Sequence, residues 1–251
     1  MARKNSIYNG LYIFLTICIV LIILWVCFTF KLWNGAFNYD YIAECKQQIN
    51  EKFCGLEIID LSIPLDLKNL ILSQVTKGEG KRVTLPGWKS GRTIPTNTVI
   101  KNIPQVYDWY THLETYISNI IGEKVYITSD QLPTTCAVLI YEENNDFINW
   151  HYDVNYFNGR FFTLLIPVTV SNSCTKFTYI DKDGNTIAIK DEMGKAILFE
   201  GNKVFHMATP FCNKGEKRII LSVQFSTNPT ISFYNKMLMY IKDSAYIGFK
   251  F

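Results

Sequence analysis

Two of the three histidines in this chain of 251 residues sit in segments that could hold a metal, Trp150-His151-Tyr152-Asp153 and Val204-Phe205-His206-Met207. On an extended segment side chains alternate with period 2, so His151 and Asp153 project from the same face. His206, distant in sequence, can complete the set. Two imidazoles and one carboxylate on one side of a metal leave the opposite positions open, as in a non-heme Fe(II) site where a co-substrate and O2 bind. A fourth residue, Arg218, follows in Gly215-Glu216-Lys217-Arg218. Its guanidinium is a planar fork suited to bidentate, charge-assisted capture of a carboxylate. Against this stands a plainer reading, because His-x-Asp triplets also arise by chance and a two-residue motif is loose.

The flanking sequence supplies elements that could position these groups. Val138-Leu139-Ile140-Tyr141 and the run from Phe161 to Val168 read as buried strands. Ala196-Ile197-Leu198-Phe199 runs into a turn signal at Glu200-Gly201-Asn202, with His206 just beyond. Arg218 opens the apolar run Ile219 to Phe225, and a charge at the head of such a strand needs a partner or solvent. Alternation places Arg218, Ile220, Ser222 and Gln224 on one face and Lys217 on the other. Arg218 is the favoured anchor, and Lys217 is the alternative. Leu65 to Val75 and Ile42 to Ile49 read as helices. Tyr107 to Ile121 reads as the best amphipathic helix, capped by Gly122, and His112 on it is structural. Residues 78–91 are rich in Gly and Pro and read as a loop, either a lid carrying Trp88 to a substrate or a mobile excursion. Trp150 and Tyr152 either line the substrate entrance or pack outside it.

The order Tyr141, His151-x-Asp153, Gly159-Arg160, Thr163, His206, Arg218 resembles the Fe(II)- and 2-oxoglutarate-dependent dioxygenases, particularly their prolyl 4-hydroxylase-like branch. The resemblance covers residues 130–228 well and extends more weakly from about residue 60. There Ser90-Gly91-Arg92-Thr93, followed by a helix, is similar to the Arg-Thr-Ser segment before the family's long helix. It implies an α+β, mainly β fold: a double-stranded β-helix, or jelly roll, over about residues 125–228, with supporting N-terminal helices. It further implies Fe(II) on His151, Asp153 and His206, the distal carboxylate of 2-oxoglutarate on Arg218, O2 as oxidant, and ascorbate as a candidate reductant. Some members use Lys as the anchor.

Two departures stand out. The His206 to Arg218 spacing is slightly long, so Pro210 to Gly215 should form an extended hairpin turn. A tyrosine that some members direct at 2-oxoglutarate is replaced by Pro167, leaving Tyr141 or Thr163 to supply a hydroxyl. The family's halide-using members lack the carboxylate ligand, so Asp153 implies hydroxylation coupled to decarboxylation of 2-oxoglutarate to succinate. The expected substrate is a prolyl or other side chain of a protein or peptide. The alternatives are a small molecule, lipid or glycan, and, from another class, a catalytically silent jelly-roll module.

The N-terminus carries a separate signal. Leu11 to Phe30 contains no charged residue, about the length needed to cross a hydrocarbon core of roughly 30 Å. With no strong cleavage site after it, a retained signal anchor over residues 11–31 is favoured over a cleaved signal peptide. Arg3 and Lys4 precede the span, which places residues 1–10 in the cytosol and the remainder in the lumen or exterior, with endoplasmic reticulum or Golgi the expected membranes in a eukaryote. Residues 32–58 then form a stalk and 59–251 the dioxygenase domain. Every acidic residue follows residue 31, and removing Arg3, Lys4 and Lys31 from the 25 basic residues leaves a balance with the 22 acidic ones. Such neutrality gives no footprint for nucleic acid, and the Arg218 strand carries Gln224 and no second arginine. Of seven cysteines, Cys18 and Cys27 fall in the span. Cys45–Cys54 or Cys174–Cys212 could pair in an oxidising compartment. No Cys-x-x-Cys pattern or glycosylation sequon occurs.

Overall fold

A computed structural model describes residues 12–25, 53, 55–170, 174–212 and 215–239. The chain divides into two compact units, Met1–Asp40 and Tyr41–Phe251. In the first, residues 12–25 are helical, with exposed apolar side chains. At 1.5 Å per residue that stretch is roughly 21 Å long, short of the roughly 30 Å of a bilayer core. Among the described residues no helix is long and apolar enough to cross a membrane. The rest of the segment 11–31, the helix expected at Ile42 to Ile49, and Cys45 and Cys54 lie outside the described residues.

The second unit is mainly β. Its strands are β1 (Leu56–Asp60), β2 (Lys81–Leu85), β3 (Lys89–Ile94), β4 (Tyr126–Ile127), β5 (Cys136–Tyr141), β6 (Phe147–His151), β7 (Phe161–Pro167), β8 (Phe177–Ile180), β9 (Thr186–Ile189), β10 (Lys195–Glu200), β11 (His206–Ala208) and β12 (Arg218–Ser226). They form one curled antiparallel sheet in the order β1-β10-β7-β12-β5-β3-β6-β11-β8-β9, with β2 on β3 and β4 on β12. β3 joins the two halves, pairing with β5 through Arg92↔Ile140 and with β6 through Lys89↔Ile148. Phe177 of β8 meets Phe199 of β10, ring centroids 5.3 Å apart, so the halves close over a shared interior as in a jelly roll. The expected strands fall in β5, β7, β10 and β12 to within two residues. Residues 56–58, assigned to the stalk from sequence, belong to β1, which pairs with β10 along its whole length.

Alternation decides what each strand sends to each side. On β12, which pairs with both β5 and β7, Ile219, Leu221, Val223 and Phe225 join Val138, Ile140, Leu164 and Ile166 in the main hydrophobic core. That core is covered by α1 (Leu65–Thr76), α2 (Thr96–Asn102), α3 (Pro104–Thr111) and α4 (Leu113–Ile121), through Ile71, Val75, Val99, Val106, Tyr110, Ile117 and Ile121. Each such side chain contributes about 1.5–3 kcal/mol when fully buried, and the Tyr110 hydroxyl also donates to the Gln224 carbonyl. Arg218, Ile220, Ser222 and Gln224 therefore face the concave interior.

Two sequence expectations are corrected. The helix expected from Tyr107 to Ile121 is two helices, α3 and α4, separated at His112, which caps both. Gly122 does end the second, in the left-handed conformation. The expected loop 78–91 is instead largely the β2–β3 hairpin, in register from Lys81↔Thr93 to Leu85↔Lys89. Leu85-Pro86-Gly87-Trp88 closes it, with Trp88 N donating to Leu85 O at 2.9 Å and Gly87 at φ +76°. Proline then glycine with positive φ is the signature of a type II turn.

Candidate metal centre

β6 ends at His151 and β11 begins at His206, and the two residues are paired across the ladder, with an irregularity before Ala208↔Ile148. Their ring centroids lie 4.2 Å apart. Asp153, two residues past the end of β6, is placed by its own N–H, which donates to Gly201 O at 2.9 Å. His151 Nε2 is 3.6 Å from Asp153 Oδ1. One ligand atom from each of His151, Asp153 and His206 lies within 4.8 Å of the others. All three sequence-predicted ligands thus meet at one point.

The surroundings fix how each would bind. His151 Nδ1 lies 2.7 Å from Asn149 O, and His206 Nδ1 lies 2.9 Å from Val204 O. A carbonyl oxygen only accepts, so each Nδ1 carries the proton and each Nε2 keeps its lone pair for a metal. Thr163 Oγ1 donates to Asp153 Oδ2 at 2.8 Å, leaving Oδ1 on the His151 side. Burial pushes the His206 pKa down to about 4, helped by His151 and opposed by Asp153 and the Val204 carbonyl, so this ring is neutral at ordinary pH. For Asp153, burial acts upward, but its neighbours His151, His206 and the Thr163 hydroxyl outweigh it and hold the carboxyl well below the usual range. Two imidazole Nε2 atoms and an ionised carboxylate make a donor set suited to Fe(II).

Aromatic packing closes the back of the site. His206 is buried against Phe177 and Phe199, with centroids 5.3 and 4.7 Å away. Gly201 lies directly behind Asp153: a Cβ there would meet Asp153 Oδ2 at 2.7 Å, Phe161 at 2.8 Å and Asp153 Cβ at 2.9 Å. Gly159 and Arg160 serve the framework instead. Gly159 lies against the Asn228 backbone, and Arg160 binds Glu200 and Phe53 O. On the outer side Trp150 stacks on Phe205 at 5.2 Å and Tyr152 tilts onto the same ring at 5.0 Å. Trp88, at the hairpin tip, is half exposed and accepts from Asn149 N through its carbonyl.

The anchor candidates separate clearly. Arg218 is 2% exposed and lies 5.0 Å from the Tyr141 ring. Tyr141 packs with Ala208, two residues past His206, so Arg218 shares the interior with the metal triad. Lys217 turns outward to Glu142, Nζ to Oε2 2.7 Å. Arg218 already holds a carboxylate: its Nε and Nη2 donate to Asp191 Oδ2 and Oδ1 at 2.5 and 2.9 Å. Tyr141, the second hydroxyl candidate, has its pKa pushed up to about 12 by burial, against Arg218, so it stays a donor. The Thr163 hydroxyl is engaged by Asp153. Sequence reasoning passed over three residues here: Asp191, Gly201 beyond its turn signal, and Lys89, a buried cation on β3 whose Nζ donates to Thr93 Oγ1 at 3.3 Å. His112 lies away from the triad, with Nδ1 2.7 Å from Asp108 O. Cys174 and Cys212 form a disulfide.

No family model matches the sequence, and no curated protein does. Solved structures do share the fold. One is a Pseudomonas putida prolyl-4-hydroxylase, 14% identical, covering 74% of this chain and 97% of that one with a TM-score of 0.51. Another is a Trichoplax adhaerens prolyl hydroxylase in complex with a hypoxia inducible factor oxygen degradation domain peptide fragment, 12% identical, covering 84% and 96% with a TM-score of 0.53. A third is the epimerase SnoN in complex with Fe3+, alpha ketoglutarate and nogalamycin RO, 10% identical, covering 68% and 78% with a TM-score of 0.54. The chain therefore has the fold of the 2-oxoglutarate and Fe(II) oxygenases, including the prolyl-hydroxylase-like form expected from its motifs.

Proposed function

We propose that this chain is an Fe(II)- and 2-oxoglutarate-dependent oxygenase that hydroxylates a side chain of a protein or peptide. The observation that carries the reading is the triad itself: His151 and His206 with Nε2 freed by backbone carbonyls on Nδ1, beside an Asp153 fixed by Thr163. Iron held there supplies O2 activation and C–H oxidation. One oxygen atom of O2 ends in succinate as CO2 leaves 2-oxoglutarate, and the other ends in the product hydroxyl. The chain's own part is to bind through the two Nε2 atoms and Asp153 Oδ1, to receive the distal carboxylate at Arg218 beside the Tyr141 hydroxyl, and to exclude water with Phe177 and Phe199. A catalytically silent module would have no use for these hydrogen bonds behind the three side chains.

The cluster of Trp150, Tyr152 and Phe205 on the outer side of the ligand-bearing strands supports a peptide substrate, since flat apolar faces suit an extended or proline-containing chain. The Trichoplax neighbour bound to a peptide fragment supports it too. A small-molecule substrate is the second reading, favoured by the SnoN complex with nogalamycin RO. The test is succinate formation by the purified chain with Fe(II), 2-oxoglutarate and a peptide library, with His151→Ala as control and mass spectrometry for one added oxygen. A His151→Ala chain that turns over 2-oxoglutarate at the original rate would refute the reading.

The same proposal places residues 11–31 as a membrane anchor with the catalytic unit on the lumenal side. The uncharged run from Leu11 to Phe30 and the Cys174–Cys212 disulfide, a bond that persists in oxidising compartments, support it. Protease digestion of residues 33–251 in sealed microsomes would reverse the topology.

A further inference from the structure

We propose that Asp191 is an internal occupant of the subsite for the co-substrate's distal carboxylate, and that 2-oxoglutarate binds by displacing it from Arg218. The inference rests on the reading of the site as an Fe(II) and 2-oxoglutarate centre. Arg218 is 2% exposed, and a guanidinium so placed needs a counter-charge whether or not a ligand is present. Asp191 supplies it through the Nε and Nη2 edge, the bidentate geometry that a ligand carboxylate would use. One edge accommodates one carboxylate. While Asp191 holds it the pair is neutral, and an arriving dianion gains little from Arg218.

Asp191 is also placed to leave. It does not belong to a strand but to the connection between β9 and β10, where Glu192 and Met193 are exposed and Gly194 has φ +85° with open space at its Cβ position. Behind it lies a groove of about 240 Å3 lined by Pro167, Lys190, Asp191, Lys195 and Ile197 among others. A carboxylate released from Arg218 would find room there beside Lys190, Lys195 being paired with Asp60. Asp191 thus sets the co-substrate affinity: the protein is competent to bind only in the fraction of time the fork is open, and apparent affinity falls by that fraction.

The experiment is equilibrium binding by calorimetry to the full chain loaded with Mn(II). The ligands are 2-oxoglutarate and 2-oxobutyrate, a keto acid without the distal carboxylate, and the proteins are wild type, Asp191→Asn and Arg218→Met. Asp191→Asn should tighten 2-oxoglutarate about tenfold or more and leave 2-oxobutyrate unchanged. Unchanged or weakened 2-oxoglutarate binding in Asp191→Asn, with Arg218→Met still strongly impaired, would overturn the displacement while leaving the anchor standing. Arg218→Met binding 2-oxoglutarate as well as wild type would overturn both. Hydrogen exchange on the wild-type protein covers the case of a variant that fails to fold. Exchange across residues 190–194 should rise with 2-oxoglutarate and not with 2-oxobutyrate, and no rise would overturn the proposal.

Discussion

Replacing Gly201 by alanine is the smallest change that should damage the candidate metal centre without replacing a ligand residue. The new methyl carbon would stand 2.7 Å from Asp153 Oδ2, 2.8 Å from Phe161 Cε1 and 2.9 Å from Asp153 Cβ, whereas ordinary contact begins at 3.4 Å. Relief therefore requires Asp153 to retreat by about 0.7 Å, several times the tolerance of about 0.2 Å on a metal–ligand distance. The carboxylate cannot simply swing aside. Oδ2 is held by Thr163 at 2.8 Å, and the backbone is held by the bond from Asp153 N to Gly201 O. Moving Gly201 instead would break that same bond and the one from Gly201 N to Phe161 O at 3.2 Å. Overpacking of this kind costs about 1–3 kcal/mol, which lowers the metal-free melting midpoint by roughly 2–4 °C per kcal/mol. Disturbing a ligand's support typically costs a further 10–100-fold in metal affinity. Titration of the metal-free protein with Mn(II) or Co(II), alongside thermal melts with and without metal, separates the two effects. A Gly201→Ala protein that melts a few degrees lower yet binds metal with wild-type affinity would show that Asp153 does not depend on this contact.

Other consequences follow from the same geometry. Thr163→Val keeps the side-chain volume and removes the donor to Asp153 Oδ2, so metal affinity should fall about tenfold with a small change in metal-free stability; equal affinity would release Thr163 from this role. Glu142 has its pKa lowered to about 2, chiefly by the hydrogen bond from Arg92 and then by Lys217, against burial. Its folded value lies below the unfolded 4.5, so its contribution is present above about pH 4.5 and is lost as pH falls towards 2. Urea unfolding from pH 6 to pH 2 should therefore show a steeper loss for wild type than for Glu142→Gln, and parallel curves would contradict it. The Cys174–Cys212 disulfide closes a sequence separation of 38. The chain-entropy model gives about 4 kcal/mol of stabilisation for a loop of that length, and the double serine variant should lose up to that amount in chemical denaturation. No loss would mean the two segments are held by their neighbours alone.

The strands that carry the site were readable because their chemistry is local. Apolar runs of the right length gave β5, β7, β10 and β12, and period-2 alternation put Arg218 inside and Lys217 outside. The gathering of His151, Asp153 and His206 was readable for the same reason: His-x-Asp is a short-range pattern, and only His206 had to be brought from afar. Periodicity misread the helical region for a physical cause. Val106, Tyr110, Leu113, Ile117 and Ile121 are all buried, a stripe that runs unbroken through the junction at His112, so the core cannot tell one helix from two in line. The β2–β3 hairpin was hidden by the residues that make it. Gly80 is required because a Cβ there would meet Thr93 O at 2.6 Å, and Pro86-Gly87 is required by the turn, yet in sequence both look like loop. Asp191 is the deepest omission. Nothing near it in the chain marks it, since its partner Arg218 lies 27 residues away across a sheet edge, and a lone acidic residue in a Lys-Asp-Glu-Met segment reads as solvated surface. The requirement was nonetheless present at the sequence level: a charge opening a buried strand must be neutralised. Sequence could state that demand, but whether it is met by a ligand or by the chain itself is decided by the return of the β9–β10 connection onto the head of β12.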